Sequence, residues 1–129
     1  MSSINKIKIA VIEDEASIRS MYCFKLSYEN YEVKSAENGK LGLELVEKFS
    51  PDLILLDLKM PVLGGADMLK QMRAQNWGAK PRVIILTNLN KGEAPSSLRF
   101  LGVDRYIVKA HHTPAQLLEV IKEVLNQKT

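Results

Sequence analysis

The chain has 129 residues, 46% hydrophobic and 26% charged, with a formal net charge of +3; this suits a single domain (residues 1–129) with one core and a mildly basic surface whose scattered lysines and arginines argue against nucleic-acid binding. A single cysteine, Cys23, excludes an internal disulfide and a Cys-rich zinc site, and its helical context reads as a buried small hydrophobe. The opening Met1-Ser2-Ser3-Ile4-Asn5 is polar, and no apolar run approaches the ~18 residues that span a membrane, so no signal peptide and no membrane contact are expected and the expected location is cytoplasmic.

The β-branched run Ile7–Ile12 predicts the first strand, with Glu13-Asp14-Glu15 directly after it. From Ala16 to Tyr28, Ile18, Met21, Tyr22, Phe24, Leu26 and Tyr28 fall at roughly helical spacing. Tyr31–Ala36 alternates as a second strand. Asn38-Gly39 then opens a turn, and Leu41, Leu43, Leu45, Val46 and Phe49 mark a helix that Ser50-Pro51 stops. Leu53–Leu56 is apolar at every position and reads as a strand buried on both faces, ending on Asp57. After Pro61 and Gly64-Gly65 a helix is expected from Ala66 to about Gln75, with Met68, Leu69 and Met72 on one face. Arg82–Thr87 is a fourth buried strand ending on a hydroxyl. Gly92 and Pro95 disfavour a long helix next, leaving a short one from Pro95 to Leu101. Asp104–Val108 is a fifth strand ending on Lys109. Thr113-Pro114 caps a last helix whose apolar face is Leu117, Leu118, Val120, Ile121, Val124 and Leu125. Five β-α units in alternation predict an α/β fold, a doubly wound five-stranded parallel sheet with helices on both faces.

In such sheets ligands collect at the carboxyl ends of the strands. Those ends supply Glu13 and Asp14, Asp57, Thr87 and Lys109. Three clustered acids repel one another unless a cation intervenes, and Mg²⁺ prefers hard oxygens of this kind. With Lys109 it would neutralise an incoming phosphoryl group. Thr87 would donate a hydrogen bond to a phosphoryl oxygen, and Asp57 would be the nucleophile, forming an aspartyl phosphate. His111 and His112 are adjacent in a loop with no third ligand placed near them, and read as solvated rather than metal-binding.

At Val11-Ile12-Glu13-Asp14-Glu15, Asp57-Leu58-Lys59-Met60-Pro61 with Gly65, Leu86-Thr87 and Tyr106-Ile107-Val108-Lys109, the chain resembles the response-regulator receiver domain of two-component signalling, of the stand-alone, chemotaxis-regulator-like kind. The resemblance implies a flavodoxin-like sheet with strand order 2-1-3-4-5. It implies that Asp57 takes a phosphoryl group from a histidine kinase or histidine phosphotransfer protein. It assigns Mg²⁺ to Asp14, Asp57 and the backbone carbonyl of Lys59, with Glu13 acting through water. Thr87 and Tyr106 would be a switch pair, and the fourth helix, fifth strand and fifth helix would form the face for a downstream protein. A phosphoacceptor switch of this kind is not a turnover enzyme, and a monomer or weak dimer is expected.

Three positions depart from the pattern. Ala110 follows Lys109 where the family has proline with a cis bond; a cis bond before a non-proline residue costs roughly 2.5–4 kcal/mol. Asn88 stands where a small residue is usual. Gly92 and Pro95 imply a displaced or shortened fourth helix, on the usual output face. These motivate an alternative, a pseudo-receiver that acts as an interaction module without phosphorylation. A third class, a haloacid-dehalogenase-like phosphohydrolase, needs a D-x-D arrangement after the first strand, and here Asp14 is followed by Glu15-Ala16.

Overall fold

The structure is a computed structural model that describes residues 5–127. The polar opening Met1–Ile4 and the final Lys128 and Thr129 lie outside the described residues. Strands β1 (Lys8–Ile12), β2 (Glu32–Ala36), β3 (Leu53–Leu56), β4 (Arg82–Thr87) and β5 (Arg105–Val108) form one parallel sheet in the order β2-β1-β3-β4-β5. Helices α1 (Ala16–Tyr28), α2 (Gly39–Phe49), α3 (Gly65–Arg73) and α4 (Pro114–Asn126) cover it.

The sheet divides the interior into two cores. On one face, Val46 of α2 and Met68, Leu69 and Met72 of α3 pack on Ala10, Ile12, Ile54, Leu56, Val83 and Ile85. On the other, Tyr22 and Leu26 of α1 and Leu117, Ile121 and Val124 of α4 pack on Ile9, Val11, Leu53, Leu55, Ile84 and Leu86. Both faces of β3 are therefore sealed, which is why its sequence is apolar without alternation. Each fully buried aliphatic side chain contributes roughly 1.5–3 kcal/mol.

Local chemistry fixes the helix ends. Asn38 Oδ1 accepts from the Leu41 amide at 2.8 Å to start α2, and Ser50 closes it in the left-handed conformation before Pro51. Thr113 and Gln116 form a reciprocal capping box at α4, with Pro114 in its first turn. The expected α1 is present, but its exposed side carries Met21, Phe24 and Tyr28, the last two 73% and 82% accessible. Helical spacing alone did not separate that side from the buried one. Cys23 is half-buried rather than buried. Leu41, read as part of the apolar face of α2, is exposed. Helix α3 runs from Gly65 to Arg73, one residue earlier at its start than expected and about two shorter at its end, because Asn76–Gly78 forms a separate 3-10 turn that carries the half-buried Trp77.

The larger correction concerns the fourth crossover. Strict β-α alternation fails there: between β4 and β5 the chain makes two 3-10 turns, Lys91–Glu93 and Ser96–Phe100, and no α-helix. Proline disfavours helical backbone at the residue before it, and Ala94 is accordingly extended (φ −75°, ψ 148°), which keeps the two turns apart. The short helix expected over Pro95–Leu101 is the second of these turns. Fourth and fifth helices are thus the wrong count here; the last helix is α4.

Candidate functional site

Sheet register brings the strand-end residues together. Ile12 lies opposite Leu56, so Glu13 and Asp57 leave the sheet side by side. Thr87 lies opposite Val108, so Lys109 emerges beside Thr87. All four strand ends surround one open cleft of about 450 Å³, lined by Asp14, Asp57, Thr87 and Lys109 together with Lys59 and Glu93 among others. Larger clefts lie elsewhere, along the free edge of β2 and at the opposite end of the sheet, but neither is lined by a buried carboxylate or a buried hydroxyl, as this one is by Asp57 and Thr87.

Asp57 is 7% accessible and Glu13 3%. The Lys109 ammonium donates to Glu13 Oε1 at 2.5 Å and to Asp57 Oδ2 at 3.1 Å. The remaining oxygens are also held: Asp57 Oδ1 accepts from the Leu58 amide at 2.7 Å, and Glu13 Oε2 from the Glu15 amide at 3.1 Å. Asp14 is exposed. Burial pushes the Glu13 carboxyl above its ordinary range, and the charge of Asp57 adds to this, while the bonds from Lys109 and the Glu15 amide act in the opposite direction. Burial alone would depress Lys109, but its bonds to Glu13 and Asp57 and their charges outweigh that and raise it.

The surrounding backbone is fixed closely. A Cβ at Gly65 would stand 2.0 Å from the Asp57 carbonyl oxygen, and the Gly65 amide donates to the Leu58 carbonyl at 2.9 Å. Only glycine lets the start of α3 approach the end of β3 this closely. On the other side, Arg19 donates to the carbonyls of Glu13 at 2.8 Å and Asp14 at 3.3 Å, bracing the turn that carries both acids.

Oxygens of Glu13, Asp14 and Asp57 all lie within 4.8 Å of one another. This donor set suits a hard divalent cation: the ligands are carboxylates, and the exposure of Asp14 leaves room for retained water. The buried acids have a single bonded ammonium between them, so a second cation would relieve real repulsion. Lys59 lines the same cleft.

Thr87 is buried, and its Oγ1 stands 3.5 Å from the Leu89 amide. Tyr106 is half-buried against the core beneath α2 and α3, and its hydroxyl donates to the Leu89 carbonyl at 2.9 Å. The ring therefore packs and its hydroxyl ties down the chain that follows Thr87. The Lys109–Ala110 bond is trans, within a 3-10 turn over Lys109–His111. His111 and His112 are exposed. Sequence reasoning missed Arg19, whose bonds run to main-chain carbonyls and leave no local pattern. It also missed Glu93, although Asn90-Lys91-Gly92-Glu93 has capping-box spacing.

Residues 9–122 match the family described as the response regulator receiver domain. The transcriptional regulatory protein ResD of Bacillus subtilis is 36% identical over 129 residues, 98% of this chain and 51% of that protein. The phosphate regulon transcriptional regulatory protein PhoB of Escherichia coli is 34% identical over 122 residues, 93% of this chain and 52% of that protein. The chain spans about half the length of the curated relatives it matches. Among solved structures, the chemotaxis protein CheY4 of Vibrio cholerae superposes with a TM-score of 0.85 at 28% identity, covering 93% of this chain and 99% of that one. A CheY-like receiver domain protein from Methanospirillum hungatei gives 0.84 at 30%, covering 95% of each.

Proposed function

The chain belongs to the response regulator receiver domain family, a family of signalling switches rather than turnover enzymes, and we propose that it works as the phosphoacceptor of a two-component phosphorelay with Asp57 as the acceptor. The observation that carries this reading is the strand-end cluster itself: a buried aspartate at the end of the central strand, sharing one lysine with a buried glutamate and facing a third acid.

In the proposed reaction an Asp57 carboxylate oxygen attacks the phosphorus of a phosphohistidine on the partner kinase or phosphotransfer protein. The O–P bond forms as the P–N bond breaks, and the imidazole leaves with its electron pair. Glu13, Asp14, Asp57 and the Lys59 carbonyl would hold Mg²⁺, which supplies charge neutralisation for the phosphoryl oxygens when bound. Lys109 transfers part of its hydrogen bonding from the carboxylates to the arriving phosphoryl group. The Thr87 hydroxyl turns from the Leu89 amide to donate to a phosphoryl oxygen, which loosens the segment that Tyr106 holds. The face that changes is that segment with β5 and α4, and a downstream protein would read it there.

Intact-mass measurement with acetyl phosphate and Mg²⁺ tests the assignment. The wild type gains one phosphoryl group, and Asp57→Asn and a chelator-treated sample gain none. Equal labelling of wild type and Asp57→Asn would remove Asp57 from its role. The pseudo-receiver reading has one observation in its favour: both Asp57 oxygens are already bonded, one to the Leu58 amide and one to Lys109. It predicts no labelling of the wild type by any donor.

A further inference from the structure

The crossover between β4 and β5 forms a strap tied at three places by polar contacts. Its near end is held by Tyr106, whose hydroxyl donates to the Leu89 carbonyl and stands 3.4 Å from that of Asn90. Its middle is held by a reciprocal box: the Asn90 amide donates to Glu93 Oε1 at 3.0 Å, and the Asn90 side chain accepts from the Glu93 amide. Its far end is held by Arg73, which donates from Nε to the Leu101 carbonyl at 2.9 Å and from its terminal nitrogens to those of Gly102, Gly78 and Ala79.

Glu93 has a second neighbourhood. It lines the same cleft as Asp14 and Asp57. A capping box accepts glutamine as well as glutamate, so hydrogen bonding alone does not require a charge at this position. A carboxylate here adds a further negative group to a cleft lined also by Asp14, Glu15 and Asp57, with Lys59 and Lys109 as its cations. The Tyr106 hydroxyl senses both ends of this arrangement: burial raises its pKa, and the charges of Glu93 and Asp57 raise it further.

We propose that Glu93 is the strap's charge sensor: a phosphoryl group on Asp57 repels the Glu93 carboxylate, breaks its bond to the Asn90 amide and frees residues 88–94, while Arg73 keeps the far end in place. This rests on the reading of Asp57 as the phosphoacceptor. Phosphorylation replaces one carboxylate charge with about −1.5 to −2, by analogy with hydroxyl phosphates, and carries it outward from the cleft floor. Glu93 is thus a positioning residue that touches no reacting atom and converts added charge into release of a main-chain segment. Arg73 sets how far that release runs, because a guanidinium bonded to four carbonyls has no charged partner in the cleft.

Amide exchange read by NMR on the full chain tests this, with Mg²⁺ alone and with Mg²⁺ plus beryllofluoride as the phosphoryl mimic. The Leu58 amide, bonded to Asp57 Oδ1, reports occupancy of the site. The Asn90 amide reports the box, and the Leu101 amide, bonded to the Leu98 carbonyl at 3.0 Å, reports the far end. In the wild type, beryllofluoride shifts Leu58, speeds Asn90 exchange by about tenfold, the value of one lost hydrogen bond, and leaves Leu101 unchanged. Glu93→Gln keeps the acceptor without the charge, so its Asn90 amide exchanges like wild type beforehand and does not accelerate. Glu93→Ala exchanges fast throughout. The proposal is overturned if Leu58 shifts while wild-type Asn90 does not accelerate, if Glu93→Gln responds as the wild type does, or if Glu93→Ala stays protected. A Leu58 resonance unmoved by beryllofluoride instead removes the phosphoacceptor reading, and the sensor with it.

Discussion

Helix α3 and the strap after β4 cover neighbouring parts of the same sheet face in opposite ways. Helix α3 buries Met68, Leu69 and Met72 completely, whereas the strap buries only Leu98 and leaves Leu89, Ala94 and Leu101 half-covered. The helix is held by apolar area, which is non-directional and indifferent to a change of charge. The strap is held by bonds from Tyr106, Asn90, Glu93 and Arg73, each of which can be lost singly. The fold thus places its rigid cover over the third crossover and its releasable cover beside the cleft that holds Asp57.

The contrast can be broken at its rigid side first. Leu69→Ala removes a fully buried side chain and should cost about 2–5 kcal/mol of folding stability in urea unfolding, with the whole domain affected. Arg73→Ala comes next. It frees four carbonyls on both sides of the strap's far end, and a loss of about 2 kcal/mol is expected, with faster amide exchange concentrated at residues 99–103. Arg73→Lys should recover only part of this, because an ammonium does not reproduce the fork of a guanidinium. The smallest change has the opposite sign. Val62 sits at φ 71° and is 76% accessible, and the Leu63 amide donates back to the Pro61 carbonyl at 2.7 Å in a tight three-residue turn. A β-branched residue is strained there, so Val62→Gly should stabilise the protein by about 0.5–1 kcal/mol. Unchanged stability in Val62→Gly would mean that the turn relaxes in solution.

The same contrast explains what the sequence made legible. Strands β1, β3 and β4 could be read because each is a short run rich in Ile, Val or Leu that is sealed on both faces; β2 and β5, at the sheet edges, are only partly buried and were legible by alternation and by their place between helical segments. Glu13, Asp14, Asp57, Thr87 and Lys109 could be read because each stops one of those runs, so strand register alone brings them together. The strap was legible only as a weakness in the helical pattern at Gly92 and Pro95. Its ties are invisible in one dimension: Arg73 bonds to carbonyls, which every residue has, and Tyr106 finds Leu89 seventeen positions away. Helical spacing likewise placed Met21, Phe24 and Tyr28 on α1 without showing that they face outward, because the stripe and the buried face of Tyr22 and Leu26 are both apolar.

Chemical localisation distinguishes the acid at the end of β3 from its neighbours as the proposed phosphoryl acceptor. Borohydride reduces an aspartyl phosphate to homoserine, and peptide mass spectrometry then identifies the position. After treatment with acetyl phosphate and Mg²⁺, homoserine is expected at position 57 and aspartate at position 14. Homoserine at position 14, or a phosphorylated chain in which position 57 remains aspartate, would contradict it.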